Sequence, residues 1–327
     1  DRLRFRSLRA WPPFAGRCTT ELIPLLPGDQ VDRAFLSWVL RRRETVEAAM
    51  RDRTGSRMPR ASLEELLRLE VPLPPLPEQR RIVAVLDEHM GVIEKGRAAA
   101  HAQLEAARAL PGAYLRQVFS SSEADQWPKR RLGEIAEIVS GITLGRRLGE
   151  RPARLVPYLR VANVKDGRLD LSDVYETRAT EDEIHQLRLQ YGDLLLTEGG
   201  DPDKLGRGTF WEAQLPLCLH QNHIFRVRCD PNQFSHRFLA AQVSSAYGKR
   251  YFLAHGKQTT GIATINRRVL AGLPVMAPSP AIQDSVVEAL QSKLEESEKL
   301  RWQLEDRMQL VEQLPPALLR EAFSGGL

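Results

Sequence analysis

The stretch VPLPPLPEQRRIVAVLD, residues 71–87, leads into a long helical pattern and has a counterpart later in the chain. Its first nine residues align with VMAPSPAIQ at residues 275–283, an offset of 204 residues. The same offset pairs Val83 with Val287, Leu86 with Leu290, Leu110 with Leu314, Pro111 with Pro315, Leu115 with Leu319, Arg116 with Arg320, Phe119 with Phe323 and Ser120 with Ser324. A period this long excludes a solenoid of short repeats. It predicts a duplicated unit that combines a domain with a helix.

Shorter matches extend the duplication upstream of the helical pattern. They pair Phe35-Leu36 with Phe238-Leu239 at an offset of 203, and Thr54-Gly55 with Thr260-Gly261 at an offset of 206. The second unit begins near Trp127, and the equivalent position of the first unit would precede residue 1. We therefore expect the first unit to lack on the order of 80 residues of its N-terminal part, as in a fragment or a truncated gene product.

Both repeated segments are predicted to be long helices, at residues 77–119 and 281–323. Apolar residues recur in steps of three and four, close to the heptad stripe of a helix that packs on another helix. The stripes are Ile82, Leu86, Met90, Ile93, Ala100, Leu104, Ala107 and Leu110, and Val286, Leu290, Leu294, Leu300, Leu304, Met308, Val311, Leu314 and Leu318. Pro111 and Pro315 are expected to bend or break the helices. The simplest partner for each stripe is the other; the alternative is that each helix packs on its own domain.

The composition limits the class of protein. The chain has 327 residues, of which 42% are hydrophobic, so about two domains with ordinary cores are expected. No apolar run approaches the ~20 residues of a membrane helix, which argues against an integral membrane protein. Three cysteines, Cys18, Cys218 and Cys229, are too few for a disulfide framework and indicate a reducing cytoplasm.

The net charge of +5 hides an uneven distribution. It divides into +6 for residues 1–60, −3 for residues 61–126, +6 for residues 127–273 and −4 for residues 274–327. The basic blocks are the globular parts and the acidic blocks contain the predicted helices. This pattern favours a polyanion partner for the globular parts only.

Residues 127–273 are predicted to form a mixed domain. Short apolar or β-branched runs, separated by Gly, Asp and Asn turns, predict strands at residues 155–161, 193–197 and 224–227. Residues 234–253 are expected to form a helix or a helix pair. Residues 14–54 look like the last third of the same kind of domain, with a strand at residues 20–24 and a helix at residues 33–50.

The sequence lacks the signatures of several enzymes. It has no Asn/Asp-Pro-Pro-aromatic motif of a methyltransferase, and no glycine loop is followed by Lys-Ser/Thr. Asp201, Asp203 and Lys204 are the only candidates for a nuclease centre, and their proline-containing spacing suits a turn. We expect neither a catalytic site nor a cofactor.

Cys218, His220, His223 and Cys229 have the residue types of a zinc site. On a strand, however, Cys218 and His220 point to one face and His223 and Cys229 to the other, so four converging ligands are not expected. The segment 220–223 is better interpreted as polar groups at a strand start near DNA, or as ordinary turn residues.

Seven motifs follow one another along the chain. They are CTTELIPLLP at 18–27, VPLPPLPEQRRIVAVLD at 71–87, WPKRRLGEIAEIVSGITLGR at 127–146, VPYLRVANVKDG at 156–167, GDLLLTEGG at 192–200, GRGTFW at 206–211 and TTG at 259–261. The order of these motifs and the duplicated helix carry a resemblance. From about residue 14 onward, the chain resembles the specificity subunits of type I restriction-modification enzymes.

The resemblance implies an α+β fold in which two α/β target recognition domains, the first incomplete, are separated by two long antiparallel helices that form a coiled-coil spacer. The implied division is a C-terminal part of the first recognition domain at residues 1–70, a proline-rich lead and the first spacer helix at 71–126, the complete second recognition domain at 127–273, and a second lead and spacer helix at 274–327.

The resemblance also implies function and partners. Such a chain is a non-catalytic recognition subunit that binds half-sites of a bipartite double-stranded DNA target. It docks methyltransferase subunits, two copies being expected, and through them the restriction and translocase subunits. The alternative is a coiled-coil assembly adaptor, or a truncated regulatory subunit, that does not read DNA sequence by itself.

Residues that can neutralise phosphates or read base edges are the candidate DNA contacts. In the second domain they are Arg146, Arg147, Asn163, Lys165, Lys204, Arg207, Gln221, Asn222, Lys257, Gln258, Thr259, Thr260 and Arg267. In the partial first domain they are Arg41, Arg43, Arg53 and Thr54. Glycines flank several of them, and we interpret these glycines as allowing the backbone to approach a duplex. The alternative for every position is a solvated charged surface.

Overall fold

The computed structural model of the protein describes residues 25–49, 64, 67–201, 205–259 and 262–326. The helices in these ranges are α1 (Arg33–Val39), α2 (Arg43–Ala49), α3 (Leu76–Phe119), α4 (Ser122–Gln126), α5 (Leu132–Ile135), α6 (Glu181–Leu187), α7 (His236–Ser244), α8 (Ala246–His255), α9 (Arg267–Ala271) and α10 (Pro280–Ser324). The strands are β1 (Lys129–Arg131), β2 (Ala136–Ser140), β3 (Arg154–Leu159), β4 (Tyr175–Ala179), β5 (Leu194–Thr197), β6 (Gly199–Gly200), β7 (Gly208–Phe210), β8 (Leu219–His220), β9 (Ile224–Cys229), β10 (Lys257–Thr259), β11 (Ile262–Thr264) and β12 (Pro274–Met276).

The chain divides into two compact units. Unit 1 comprises Asp1–Ala107 and Leu300–Leu327, and unit 2 comprises Arg108–Lys299. Both long helices contribute to both units, so each unit contains segments from both halves of the duplication. The mixed helix and sheet architecture is the one that the sequence predicts, whereas the domain boundaries at residues 70, 126 and 273 remain a prediction.

The centre of unit 2 is a four-stranded antiparallel sheet in the order β2-β9-β5-β7. Successive residues of β5 face opposite sides of this sheet. Leu194 and Leu196 pack into one apolar cluster with Phe238 of α7, and Leu195 packs into another with Trp211. Because both faces are covered by apolar side chains, β5 is buried along its whole length.

The remaining strands of unit 2 form smaller sheets. They are β4-β3-β8, β10-β11-β6 and the pair β1-β12. The strands predicted at 155–161, 193–197 and 224–227 are present as β3, β5 and β9, and the helix pair predicted at 234–253 is present as α7 and α8.

A buried glutamine joins the domain part of unit 1 to its long helix. Gln79 Oε1 accepts a hydrogen bond from the backbone N–H of Asp32 at 2.7 Å. Its Nε2 donates to the carbonyl oxygens of Gln30 at 2.9 Å and Pro74 at 2.7 Å. Asp32 is also the N-cap of α1, since its side chain accepts from the N–H groups of Ala34 and Phe35. One side chain thus fixes the start of α1 beside the start of α3.

The same arrangement recurs in unit 2. Gln283 Oε1 accepts from the N–H of Ser235 at 2.8 Å, and its Nε2 donates to the carbonyl oxygens of Pro278 at 2.9 Å and Gln233 at 3.4 Å. Ser235 is the N-cap of α7. Each partner is offset from its counterpart by 203 or 204 residues, so the duplication inferred from the sequence is also a duplication of hydrogen bonds.

Each unit also takes the end of the other repeat's helix into its core. In unit 1 the ring of Phe323, at the end of α10, lies 5.5 Å from that of Phe35 on α1. In unit 2 the ring of Phe119, at the end of α3, lies 5.4 Å from that of Phe238 on α7. The start of one long helix therefore packs near the end of the other in each unit, which is the predicted antiparallel pairing.

The apolar stripe on α10 differs from the prediction at two positions. Leu300 and Leu314 are 40% and 47% exposed, whereas Arg301 and Pro315 are partly covered. Ser297 explains the shift: it is buried, and its hydroxyl donates to the carbonyl of Leu294. A heptad pattern that includes Ser297 continues to Arg301 instead of Leu300. The prediction counted apolar residues only, and it therefore placed the buried positions of α10 at the wrong residues.

Of the bend or break expected at the helix prolines, the break is wrong, and the bend stays a prediction. α3 is continuous through Pro111, and α10 is continuous through Pro315 and Pro316. An interior proline costs about 3 kcal/mol, but Tyr114 and Phe119 after Pro111 pack on the core of unit 2 and offset such a cost.

The single helix predicted at residues 33–50 is two helices. α1 ends before Leu40 and α2 begins at Arg43. The buried Thr45 hydroxyl donates to the carbonyl oxygen of Val39 at 2.9 Å, which satisfies one of the groups that the end of α1 leaves without a helical partner.

The repeated glutamine gives a stability prediction. Gln283→Ala leaves the buried N–H of Ser235 without its acceptor and should lower the free energy of unfolding by about 2 to 4 kcal/mol. Urea unfolding measures this change. Gln309→Ala, an exposed site on the same helix, is the matched control and should change the value by less than about 0.5 kcal/mol. Equal effects of the two substitutions would contradict the role given to Gln283.

Candidate nucleic-acid interface

Three loops meet at one end of the four-stranded sheet. β2 and β5 end there, while β9 and β7 begin there, because neighbouring strands are antiparallel. The loops are the segment that follows Ser140, the turn before Ile224, and the segment between Thr197 and Gly208. Arg146, Arg147, Arg207, Gln221 and Asn222 lie on these loops, so the fold brings together candidate residues that are distant in sequence.

The hairpin of β10 and β11 joins the same end. β11 pairs with β6, with Ala263 opposite Gly200 and Thr264 opposite Gly199. The backbone N–H of Ile265 donates to the carbonyl of Glu198 at 2.8 Å. Lys257, at the start of the hairpin, is exposed. Lys204, Thr260 and the side chains of Gln258 and Thr259 lie outside the described part of the structure.

The turn from Gln221 to Ile224 is anchored on several sides. The N–H of Ile224 donates to the carbonyl of Gln221 at 2.9 Å and closes the turn. The N–H of Gln221 donates to Leu159 O at 2.9 Å, and that of Asn222 donates to Ile142 O at 3.0 Å. Gln221 and Asn222 are partly exposed. The turn is therefore a rigid platform for its polar side chains.

His223 completes this turn and contacts the neighbouring loop. Its Nδ1 lies 2.6 Å from Oε2 of Glu198, and the backbone N–H of Glu198 donates to the carbonyl of His223 at 2.9 Å. The His223 side chain is 56% exposed. Sequence reasoning missed Glu198, because nothing in the sequence links it to a turn 25 residues away.

Arg146 has a structural role that the sequence did not predict. Its guanidinium binds both carboxylate oxygens of Glu183, at 2.6 and 2.7 Å, and also donates to the carbonyls of Thr143 and Arg178. This guanidinium, followed by the hydrogen bond from Thr180, lowers the pKa of Glu183 to about 2. Four of its five N–H donors are used inside the protein, so Arg146 first of all anchors this loop, and a phosphate contact by it stays a prediction.

Asn163 is also an internal residue. It is 3% exposed. Its Oδ1 accepts from the N–H of Arg160 at 2.8 Å, and its Nδ2 donates to the carbonyls of Asp170 and Asp173. A side chain that is buried and fully bonded cannot read a base edge, so the expectation for Asn163 is corrected. It shapes the loop after β3.

Other predicted cations do face solvent. Arg147, next to Arg146, and Arg267, at the start of α9, are exposed and have no hydrogen-bond partner among the described residues. Lys165 is partly exposed. Arg207 is partly exposed, but its Nε is buried without a hydrogen-bond partner within the described ranges.

Two glycines at this end are required by the packing of the protein itself. A Cβ on Gly141 would lie 1.9 Å from the carbonyl oxygen of His220. Gly206 has a φ of +69°, and a Cβ there would lie 2.3 Å from the ring of Phe252. Both positions exclude a side chain because the loops pack closely on the domain, whatever they bind. Gly145 and Gly149, which flank Arg146 and Arg147, face open space, and for them the approach to a duplex stays a prediction.

The candidates of the first domain are only partly described. Arg41 stacks over the ring of Trp38, with 4.6 Å from Cζ to the ring centroid. Arg43 binds Glu47 at 2.6 Å, and both side chains are exposed. Arg53 and Thr54 lie outside the described residues, so their role stays a prediction.

Two arginines of β9 were missed, and both hold the sheet together. Arg228 binds both carboxylate oxygens of the buried Asp193, at 2.6 and 2.7 Å. Arg226, 2% exposed, donates to Glu137 Oε2 at 2.7 Å. Alternating arginines on a strand otherwise lined by apolar residues were the available signal, because only paired charges tolerate such burial.

Within the described ranges, no group of three or more His, Cys, Asp or Glu side chains could hold a metal ion. Cys218 is buried in an apolar cluster with Trp211, and burial raises the pKa of its thiol to about 12. His220, two residues further along the chain, is also buried, and its Nδ1 lies 2.9 Å from the carbonyl oxygen of Ile224. The described geometry therefore gives no support to the zinc alternative.

Comparison with known proteins adds an independent finding. Residues 18–101 match the family model for the type I restriction modification DNA specificity domain. The chain is 22% identical over 270 residues to the StySPI specificity subunit of Salmonella potsdam, and 22% identical over 269 residues to the EcoKI specificity subunit of Escherichia coli K12. Each alignment covers 79% of this chain, which spans 58% of the length of these relatives.

Two solved structures share the fold. One is the HsdS subunit from Thermoanaerobacter tengcongensis, with 19% identity, a TM-score of 0.55, and coverage of 91% of this chain and 71% of that one. The other belongs to a study of assembly and conformational transition of the type I R-M system, with 20% identity, a TM-score of 0.71, and coverage of 90% and 71%. Among the described residues, no helix combines the length and apolar composition of a membrane span.

His220 gives a pH prediction for the folded domain. Burial lowers the pKa of its imidazole to about 4, so the unfolded chain binds a proton at this site between about pH 6.5 and pH 4 while the folded chain does not. The resulting stabilisation is fully present above pH 6.5 and is lost as the pH falls. At pH 5 the loss is about 2 kcal/mol.

Urea unfolding of the wild type and of His220→Asn at pH 7 and pH 5 measures this loss. Asn Nδ2 can replace the His Nδ1 donor, and the variant should lose less stability on acidification by about 2 kcal/mol. The exposed His89→Asn is the control and should follow the wild type. A His220→Asn curve parallel to the wild type would refute the assignment.

Proposed function

We propose that the chain, which is similar to the DNA specificity subunits of type I restriction-modification systems, is a non-catalytic specificity subunit that binds half of a bipartite DNA target through unit 2. The observation that carries the proposal is the convergence of three loops and the β10–β11 hairpin at one end of the four-stranded sheet. A rigid platform that bears exposed polar and cationic groups suits contact with a duplex.

The charge of the segments supports the same assignment. Residues 127–273 carry a net +6, and the two segments that contain the long helices carry −3 and −4. Phosphates attract the former and repel the latter. Unit 2 therefore presents DNA-facing loops, while the long helices are left to face protein.

We further propose that methyltransferase subunits dock on the long helices. On α10, Trp302 is 59% exposed and Leu310 is 64% exposed, and both lie outside the seam that packs on α3. A contiguous exposed apolar patch marks a protein interface, and we infer that these two side chains are part of such a patch. Since both units are built in the same way, two copies of the methyltransferase are expected. The restriction and translocase subunits would then associate through them.

DNA binding tests the proposal and distinguishes the role of Arg147 from that of Arg146. Arg147→Ala should reduce the slope of log affinity against log salt by about one on a mixed-sequence duplex, because it removes one phosphate contact. Arg146→Ala should lower the Tm by breaking the Glu183 pair. Binding of purified chain is measured by fluorescence anisotropy at several salt concentrations.

Arg307→Ala, exposed on α10, is the matched control and should leave the slope unchanged. An unchanged slope in Arg147→Ala would remove that residue from the interface. A wild-type chain without preference among duplex sequences would favour the assembly adaptor instead.

Docking is tested by co-purification with a methyltransferase subunit of the same system. Trp302→Ala should weaken the association about tenfold or more, as buried interface aromatics commonly do. Gln303→Ala, on the adjacent exposed position, should have little effect. Equal retention of methyltransferase by both variants would place its binding surface elsewhere.

A further inference from the structure

We propose that the Asn222–His223 turn reads a base edge, and that Glu198 is the positioning residue that fixes the His223 ring for this contact. The inference rests on the proposed function, since it names the reading element within the same interface. The sequence placed the segment 220–223 near DNA and listed Asn222 as a candidate contact, but it gave no role to Glu198 and no base contact to His223.

The backbone on which these side chains stand is fixed by its surroundings. The turn is bonded to the end of β3 through Leu159 O and to the loop after β2 through Ile142 O. On the other side of the turn, the N–H of Ile142 donates to His220 O at 2.7 Å. A turn held by the ends of two further strands presents its side chains with little freedom, and direct readout needs such preorganisation.

Glu198 holds the imidazole in one orientation. Its Oε2 is 2.6 Å from His223 Nδ1. Its own backbone is fixed by two hydrogen bonds, one donated to His223 O at 2.9 Å and one accepted from the N–H of Ile265 at 2.8 Å. With Nδ1 committed to the carboxylate, Nε2 has one contact, Asn222 Nδ2 at 3.5 Å, which is at the long limit of a hydrogen bond and which a ligand could replace.

The adjacent amide gives the turn a second reading group. Asn222 Nδ2 lies 3.5 Å from His223 Nε2, so the amide and the ring form one polar edge. His223 is 56% exposed and contributes to none of the apolar clusters of unit 2. An Asn side chain pairs bidentately with adenine, and an imidazole nitrogen can bond a neighbouring base.

Selection from a randomised duplex library tests the inference. The purified chain with its methyltransferase subunit binds the library, and sequencing of the bound fraction gives the base preference at each position. His223→Ala and Asn222→Ala should reduce the preference roughly 5- to 100-fold at one or two adjacent positions, and preserve it elsewhere. The salt slope should stay unchanged.

Substitutions of Glu198 distinguish positioning from a purely structural role. Glu198→Ala should relax the same positions as His223→Ala, whereas Glu198→Gln, which keeps an acceptor for Nδ1, should restore the preference. His89→Ala, an exposed histidine on α3, is the matched control. A Glu198→Ala variant that loses thermal stability but keeps the wild-type preference would overturn the positioning role.

The outcomes separate this inference from the proposed function. A wild-type chain that selects no motif would overturn both. A wild-type motif that His223→Ala and Asn222→Ala leave intact would overturn only the reading turn. A uniform loss of affinity at all positions, with a salt slope lower by about one, would make the turn a phosphate contact and would equally overturn base reading.

Discussion

Gln79 and Gln283 make the contact on which the rest of the structure depends. In each unit one buried amide bonds the N-cap residue of the domain helix and the backbone just before the long helix. A glutamine side chain can accept and donate hydrogen bonds at the same time. It therefore joins two backbone segments that share no helix or sheet hydrogen bonds. An amide buried without these partners would cost more than an apolar residue. The long helix therefore leaves its domain part in a fixed direction, and within unit 2 this also places α7 under the sheet that presents the candidate loops.

The candidate interface shows how the cations of a basic block divide between two roles. Arg146, Arg226 and Arg228 are each paired with a carboxylate of unit 2, and they lock a loop or a strand in place. Arg147 and Lys257 remain exposed. The net charge of a segment cannot distinguish the two groups, because it is the same whether or not an arginine is paired with a carboxylate. The paired arginines fix the shape of the surface, and the exposed cations give the surface a positive electrostatic potential.

Much of the fold could be predicted from the sequence because it rests on local patterns. The apolar runs predicted β5 and β9, and the repeat predicted α3 and α10, whereas the antiparallel pairing of the two helices was implied by the family resemblance. The site could be predicted only as a set of loops. Asn163 was misassigned because its partners, Asp170 and Asp173, are bonded through backbone atoms that carry no sequence signal. Glu183 lies 37 residues from Arg146 and is brought to it by tertiary structure alone.

The exchange of terminal phenylalanines sets an order of assembly during synthesis. Unit 2 receives Phe119 from α3, which is made before the rest of that unit, so its core can close as soon as α7 and the start of α10 have left the ribosome. Unit 1 needs Phe323, at the far end of α10, to cover Phe35. The unit whose α1 is synthesised first is thus the last to complete its core, and Phe35 and Trp38 stay uncovered by α10 until some 280 further residues have been made.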